Sequence, residues 1–127
     1  MKEASILINQ ARQAQKNAYA PFSKFKVGAA VLTTNGKVFT GCNIENASYG
    51  LTVCAERVAI FKAVSEGYKK LKAIAVVTND CSYPCGACLQ VMAEFAPDIT
   101  IILSNGRNKT KTMKLKELLP KQFKLKD

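Results

Sequence analysis

The chain has 127 residues, 48% of them apolar and 22% charged, with a formal net charge of +10. That is the size of one domain, spanning 1–127, with enough apolar content for a core and too much for a disordered chain. Histidine is absent, which excludes a Ser-His-Asp triad, a Cys-His dyad and any imidazole metal ligand; proton transfer near neutral pH must use a carboxylate, thiol, lysine or tyrosine.

The N-terminal stretch "MKEASILINQARQAQKNAYAPF" lacks the apolar run and cleavage site of a secretory signal, and no segment approaches the ~20 apolar residues of a membrane helix. A cytoplasmic protein is expected. Residues 2–18 carry Ile6, Leu7, Ala11, Ala14 and Ala18 at helical spacing, with Pro21 beyond the end. "FKVGAAVLTT" (25–34) predicts a strand, "NG" at 35–36 a hairpin turn, and "KVFTGCNIE" (37–45) the returning strand. After the loop "NASYG", Thr52 is a plausible N-cap for the helix "VCAERVAIFKAVSEG", which Gly67 ends. "KAIAVVT" (72–78) reads as a buried strand, "CGACLQVMAEF" as a helix closed by Ala96-Pro97, and "ITIILS" (99–104) as another buried strand. "KTKTM" predicts an edge strand and "LKELLP" a short last helix. The order implies an α/β fold: a mixed five-stranded sheet with helices on both faces, a three-layer α/β/α sandwich.

Five cysteines, an odd number without an export signal, point to metal binding or catalysis rather than disulfides. Cys85 and Cys88 lie one turn apart behind Pro84, and Cys54 falls at the start of another helix. Helix N-termini favour thiolates, the form that a metal needs. Three thiols meeting at one tetrahedral ion leave a fourth position open, as in catalytic zinc sites. Glu56, two residues after Cys54, stands where a carboxylate can move the proton of an activated water without binding the metal. Cys42 reads as a small buried residue and Cys81 as a bystander near the site.

At these motifs the sequence resembles the small, homotetrameric, zinc-dependent cytidine deaminases. The resemblance rests on "YAPFSKFKVGAA", "GCNIENASYG", "TVCAERVAIFKAVSEG", "PCGACLQVMAEF" and "LLPKQF", and the acid beside one ligand followed by PCxxC is the zinc deaminase signature in its three-cysteine form. It implies hydrolysis of cytidine and deoxycytidine to uridine and deoxyuridine with release of ammonia, a step of pyrimidine salvage. Cys54, Cys85 and Cys88 would hold one Zn²⁺ per subunit, and Glu56 would shuttle the proton. Asn43 and Glu45 would hold the sugar, Phe25 would stack on the base, and Ala55 would offer a backbone group. Phe123 would reach a neighbouring subunit's site in a homotetramer that shares its sites.

Arg57 has an electrostatic reading of its own: three thiolates on Zn²⁺ leave a net negative charge, which a guanidinium donating to sulfur would offset. Leu89 departs from the family, where arginine usually follows the second cysteine of the pair, so a subunit contact or a charge near the metal is expected to differ. Three alternatives stand beside this reading. One is a deaminase of a cytosine-containing antibiotic such as blasticidin S. Another is a polynucleotide cytosine deaminase, and the third is a structural zinc or nucleic-acid-binding module with Cys42 or Cys81 as fourth thiol. From Asn105 onward there are eight Lys or Arg and two acids, dispersed without a basic run. They read as a solvated surface, so neither a nucleic-acid nor a membrane partner is expected.

Overall fold

The computed structural model describes residues 2–125; Met1, Lys126 and Asp127 lie outside the described residues. Strands β1 (Gly28–Thr33) and β2 (Val38–Cys42) form an antiparallel hairpin around Asn35-Gly36. Gly36 turns the chain at φ +91°, where a side chain would be strained. β1 also pairs antiparallel with β3 (Leu71–Val77), β3 runs parallel to β4 (Thr100–Ser104), and β4 pairs antiparallel with β5 (Thr110–Lys114). The spatial order is β2-β1-β3-β4-β5, the mixed five-stranded sheet that the sequence predicts.

Alternation along the strands sends side chains to two faces. Ala30, Leu32, Ala73, Ala75, Val77 and Ile102 pack under Leu7 and Ala11 of α1 (Lys2–Gln15). Ala29, Val31, Ile74, Val76, Ile101 and Leu103 pack under α2 (Ala55–Ser65) and α3 (Gly86–Phe95) on the other face. α4 (Leu115–Leu118) joins that second layer through buried Leu115. Each fully buried large side chain, such as Leu7, Ile60 or Met92, contributes about 1.5–3 kcal/mol of apolar transfer.

Two glycines let helices touch the sheet. A Cβ at Gly41 would lie 2.6 Å from both Ala55 O and Ala59 N, so α2 rests directly on β2. A Cβ at Gly28 would lie 1.9 Å from Ala11 O, so α1 rests directly on β1. No helix among the described residues is long and apolar enough to cross a membrane.

Several boundaries differ from the sequence expectation; β1 begins at Gly28 rather than Phe25, and β2 ends at Cys42 rather than Glu45. α1 stops at Gln15 rather than Ala18, and Lys16, Asn17 and Ala18 close the end with bonds to carbonyls three residues back. The chain must turn there because Tyr19 pairs with Asn43 and Glu45: Tyr19 N donates to Asn43 O and Glu45 N to Tyr19 O, both at 2.9 Å. α2 is capped by Cys54, not Thr52. Val53 is still held extended by reciprocal bonds with Ile44, at 2.9 and 3.0 Å, so the helix cannot begin earlier. "NASYG" is not all loop, since Tyr49–Leu51 forms one 3-10 turn that begins inside it.

Candidate metal centre and catalytic pocket

Cys54 and Cys85 are the N-cap residues of α2 and α3, both with extended backbone (φ −73°, ψ 155° and φ −76°, ψ 167°). Cys88 lies in the first turn of α3, where it is buried. The two helices start at the same edge of the sheet, and their three sulfurs lie within 4.8 Å of one another. Cys54 Sγ is 3.8 Å from Cys85 Sγ, which is 3.5 Å from Cys88 Sγ. Tetrahedral coordination at a Zn–S distance near 2.3 Å places sulfurs about 3.8 Å apart, so the donor set fits zinc in spacing and in chemistry. Among the described residues this is the one group of metal-ligating side chains that converges so closely, and neither Cys42 nor Cys81 joins it.

The cluster calls for a cation. The Cys54 thiol is pulled down to about 5, with its hydrogen bonding to Cys88 the largest influence; burial opposes the shift, and Arg57 assists it. Cys88 is pushed far up, by the same contact first, then by burial and by the charges of Glu56, Cys54 and Cys85. One thiolate forms easily and the next is resisted, because like charges crowd a partly buried site; a divalent ion removes that penalty. Arg57 Nη2 donates to Cys54 Sγ at 3.4 Å, as the charge argument anticipates. Its Nε is buried without a partner among the described residues.

Beside the cysteines opens a cavity of about 250 Å³ lined by Cys54, Cys85, Ala55, Glu56, Phe25, Asn43 and Glu45, among others. Glu56 is 4% exposed, and its carboxyl is pushed up to about 7, burial being the main cause. Because Cys54 is a cap and not a helical residue, the half-turn offset of an ideal helix does not separate it from Glu56, and both line the same pocket. Ala55 is fully buried at the first position of α2, whose N–H has no partner within the helix.

β2 ends at Cys42, before Asn43 and Glu45, yet the alternation continues through the pairing of Ile44 with Tyr19 and Val53. Asn43 and Glu45 are 7% and 5% exposed, and Ile44 between them is 47% exposed. Both polar groups clasp the segment 22–27. Asn43 Oδ1 accepts from Val27 N at 2.9 Å, and its Nδ2 donates to Phe25 O at 2.8 Å. Glu45 Oε1 accepts from Phe22 N and Ser23 N at 3.0 and 3.1 Å, and Oε2 accepts from the Ser23 hydroxyl. The Ser23 hydroxyl is the largest influence holding the Glu45 carboxyl below its usual range.

Phe123 is 67% exposed and outside this pocket, its carbonyl accepting from Gln90 Nε2 at 3.2 Å. Leu89 is 8% exposed and packs in the core under α3, so it neither faces solvent nor adds to the polar surroundings of the cysteines. The sequence reading missed Ser23, Tyr49 and Tyr83, which also line the pocket. Ser23 and Tyr49 lie inside the quoted motifs; Tyr83, whose ring is covered by Lys111 Nζ at 4.3 Å, lies two residues before Cys85 in the loop that leads into α3, so its closeness to a ligand was the signal that could have found it.

Comparison with known proteins agrees with this geometry. Residues 1–104 match the cytidine and deoxycytidylate deaminase zinc-binding region. A cytidine deaminase of Halalkalibacterium halodurans is 51% identical over 98% of this chain and 97% of its own length. One from Sporosarcina psychrophila is 46% identical over 95% of this chain and 91% of its own. The crystal structure of cytidine deaminase from Burkholderia pseudomallei superposes with a TM-score of 0.89 at 49% identity, covering 93% of this chain and 97% of that one. With three cysteines positioned for zinc and a buried carboxylate beside them, the chain belongs to the cytidine and deoxycytidylate deaminase family of zinc-dependent hydrolases.

Proposed function

We propose that the chain hydrolyses cytidine and deoxycytidine to uridine and deoxyuridine, releasing ammonia, with the whole chain acting as one domain. The observation that carries this reading is the shared pocket: buried Glu56 lines the same cavity of about 250 Å³ as Cys54 and Cys85. Zinc held by Cys54, Cys85 and Cys88 supplies an activated water when bound. Glu56 would take one proton of that water and pass it to the ring nitrogen beside the reacting carbon as the C–O bond forms, then carry the remaining hydroxyl proton to the amine as the C–N bond breaks, so that cytidine and water give uridine and ammonia. A carboxyl raised to about 7 both accepts and returns a proton near neutral pH.

The other side chains position the nucleoside. Phe25, 36% exposed at the pocket, offers its ring face to the base. The N–H of Ala55 is free to bond a base oxygen. Asn43 keeps one amide proton, and Glu45 a carboxylate lone pair, beyond the bonds they make to the segment 22–27. These remaining groups suit sugar hydroxyls. Arg57 offsets the charge of the thiolates by donating to Cys54.

A homotetramer with shared sites completes the proposal. Ile44, Leu51 and Phe61 are 47%, 67% and 45% exposed and line an apolar groove with Val53 and Val58. Glu45 belongs to both the groove and the catalytic pocket, so a second copy seated there would adjoin the site. Phe123, exposed and outside its own chain's pocket, is the side chain such a copy would contribute. The five free thiols suit the reducing cytoplasm. The experiment is ultraviolet-monitored loss of cytidine by the zinc-loaded protein, and a folded, zinc-loaded chain without turnover would overturn the proposal.

A further inference from the structure

Thr78 and Ser82 also line the catalytic pocket. Their place follows from the sheet. Gly28 pairs with Cys42 on one side and with Val77 on the other, so β2 and β3 end at the same edge. Cys42 leads into Asn43 and Glu45, and Val77 leads into Thr78. With β1 between them, the two strand ends stand about 10 Å apart. The loop that begins at Thr78 runs to Cys85, and Ser82 is three residues before that ligand. The pocket therefore has Asn43 and Glu45 on one side and the hydroxyls of Thr78 and Ser82 on the side that leads to a cysteine.

Both hydroxyls commit their proton to one carboxylate. Thr78 Oγ1 donates to Asp80 Oδ1 at 3.2 Å, and Ser82 Oγ donates to the same oxygen. An ionised carboxylate can only accept, so chemistry fixes the direction of both bonds. The Ser82 hydroxyl is the largest influence holding the Asp80 carboxyl below its usual range, with help from Thr78. Thr78 Oγ1 also accepts from Ser82 N at 3.0 Å and keeps one lone pair; Ser82 Oγ keeps two. The loop holds this arrangement. Cys81 bends it at φ +61°, with Sγ 3.6 Å from Lys109 O, and Ser82 N donates to Asp80 Oδ1 at 3.2 Å. Asp80 itself is exposed and outside the pocket. Any bond that the two hydroxyl oxygens make to a ligand is therefore one they accept.

Substrate and product differ in what they offer to such a wall. Cytidine carries on its reacting carbon an amine with two N–H donors; uridine carries a carbonyl oxygen there, which only accepts. In the cytidine reading the reacting carbon lies at the cysteines, so its substituent falls on the side where Ser82 precedes Cys85. We propose that Thr78 and Ser82 are specificity-determining residues that accept from the substrate's amine and disfavour the product's carbonyl, and that Asp80 is the positioning residue that fixes the polarity of both. The inference rests on the cytidine reading and deepens it. A site whose acceptors are buried rejects an analogue without the matching donor, because those acceptors are left unpaired. Thr78, 3% exposed, meets that condition. Once the amine has left as ammonia, lone pairs face the new carbonyl oxygen, which favours release of uridine.

The test uses the zinc-loaded full chain and measures two constants for each variant: kcat/KM for cytidine and the inhibition constant of uridine. Ser82→Ala removes an acceptor, so kcat/KM for cytidine falls about fivefold while uridine binds as well as before or tighter. Asp80→Ala frees the hydroxyl protons, and Ser82 can then donate to a carbonyl. Uridine binds severalfold tighter to this variant, cytidine kcat/KM falls, and adding Ser82→Ala to Asp80→Ala removes the gain in uridine binding. A role confined to holding the loop weakens both ligands together and does not reverse their order. Should Asp80→Ala fold poorly, the two constants of Ser82→Ala decide alone. The proposal is overturned if Ser82→Ala weakens uridine and cytidine in parallel or leaves both at wild-type values. It is also overturned if a folded Asp80→Ala protein keeps the wild-type ratio of the two constants. Absence of cytidine turnover by the wild type would instead sink the activity itself, so the two failures are told apart.

Discussion

Replacing Gly41 by alanine tests whether the helix carrying the site is held in place by direct contact with the sheet. The added Cβ would stand 2.6 Å from Ala55 O and from Ala59 N, both backbone atoms that cannot rotate away. Ordinary contact lies at 3.4–4 Å and real Cβ contacts essentially never fall under 3.0 Å, so α2 must withdraw by about 0.4 Å at the least and about 0.8 Å to restore ordinary contact. Overpacking of this kind costs about 1–3 kcal/mol. The shift also carries the N-cap Cys54 and the second helical residue Glu56 away from α3, which holds Cys85 and Cys88. Misplacing reacting groups by ~1 Å can cost about a hundredfold in rate, so kcat/KM for cytidine should fall roughly ten- to hundredfold in the folded, zinc-loaded protein. Thermal unfolding and steady-state kinetics measure the two effects separately. Gly36→Ala is the comparison. It strains a φ of +91° with no atom within 4 Å, so it should lose about 1 kcal/mol of stability and keep wild-type kcat/KM. A Gly41→Ala protein with wild-type stability and turnover would refute the claim that α2 is seated on β2 by this contact.

Three further outcomes are expected. Arg57→Gln removes the donor to Cys54 and should weaken zinc affinity or turnover about ten- to hundredfold; full turnover with unchanged zinc affinity, read by competition with a chelating dye, would contradict its role. Ser23→Ala deletes the hydroxyl bonded to Glu45 and to Phe25 N. About 1 kcal/mol of stability should be lost, and KM should rise severalfold with kcat nearly unchanged, because the hydroxyl bonds Glu45 and Phe25 N and neither Glu56 nor a cysteine; a fall in kcat alone would place Ser23 at the reacting end. Phe123→Ala and Glu56→Gln subunits, each inactive alone, should regain turnover when mixed, since some sites would combine an intact Glu56 with an intact Phe123; mixtures that stay inactive would argue against shared sites.

The strands and the metal ligands were legible in the sequence for one reason: each is set by neighbours close in the chain. Apolar runs at 72–78 and 99–104 needed only burial to become β3 and β4. Cys85 and Cys88 needed only one helical turn, and Arg57 could be placed beside the thiolates from charge alone. What was misread depended on distant segments. The start of α2 is delayed to Cys54 by the pairing of Val53 with Ile44, which Thr52, a good capping residue, does not reveal. Asn43 and Glu45 were read as facing one side, correctly, but their bonds to Phe25, Val27 and Ser23 cross 16–23 residues of chain. Leu89 was read as a departure from the family that alters a subunit contact or a charge near the metal; that it is buried in the core follows from packing against the sheet, which the motif alone does not reveal.

The most direct test of the account compares the purified protein with Glu56→Gln, measuring zinc content and ultraviolet-monitored loss of cytidine for both. The account predicts one zinc per chain in each, rapid turnover by the wild type, and a loss of several orders of magnitude in the variant. Turnover by Glu56→Gln close to that of the wild type, with zinc retained, would contradict the assignment of Glu56 as the proton carrier.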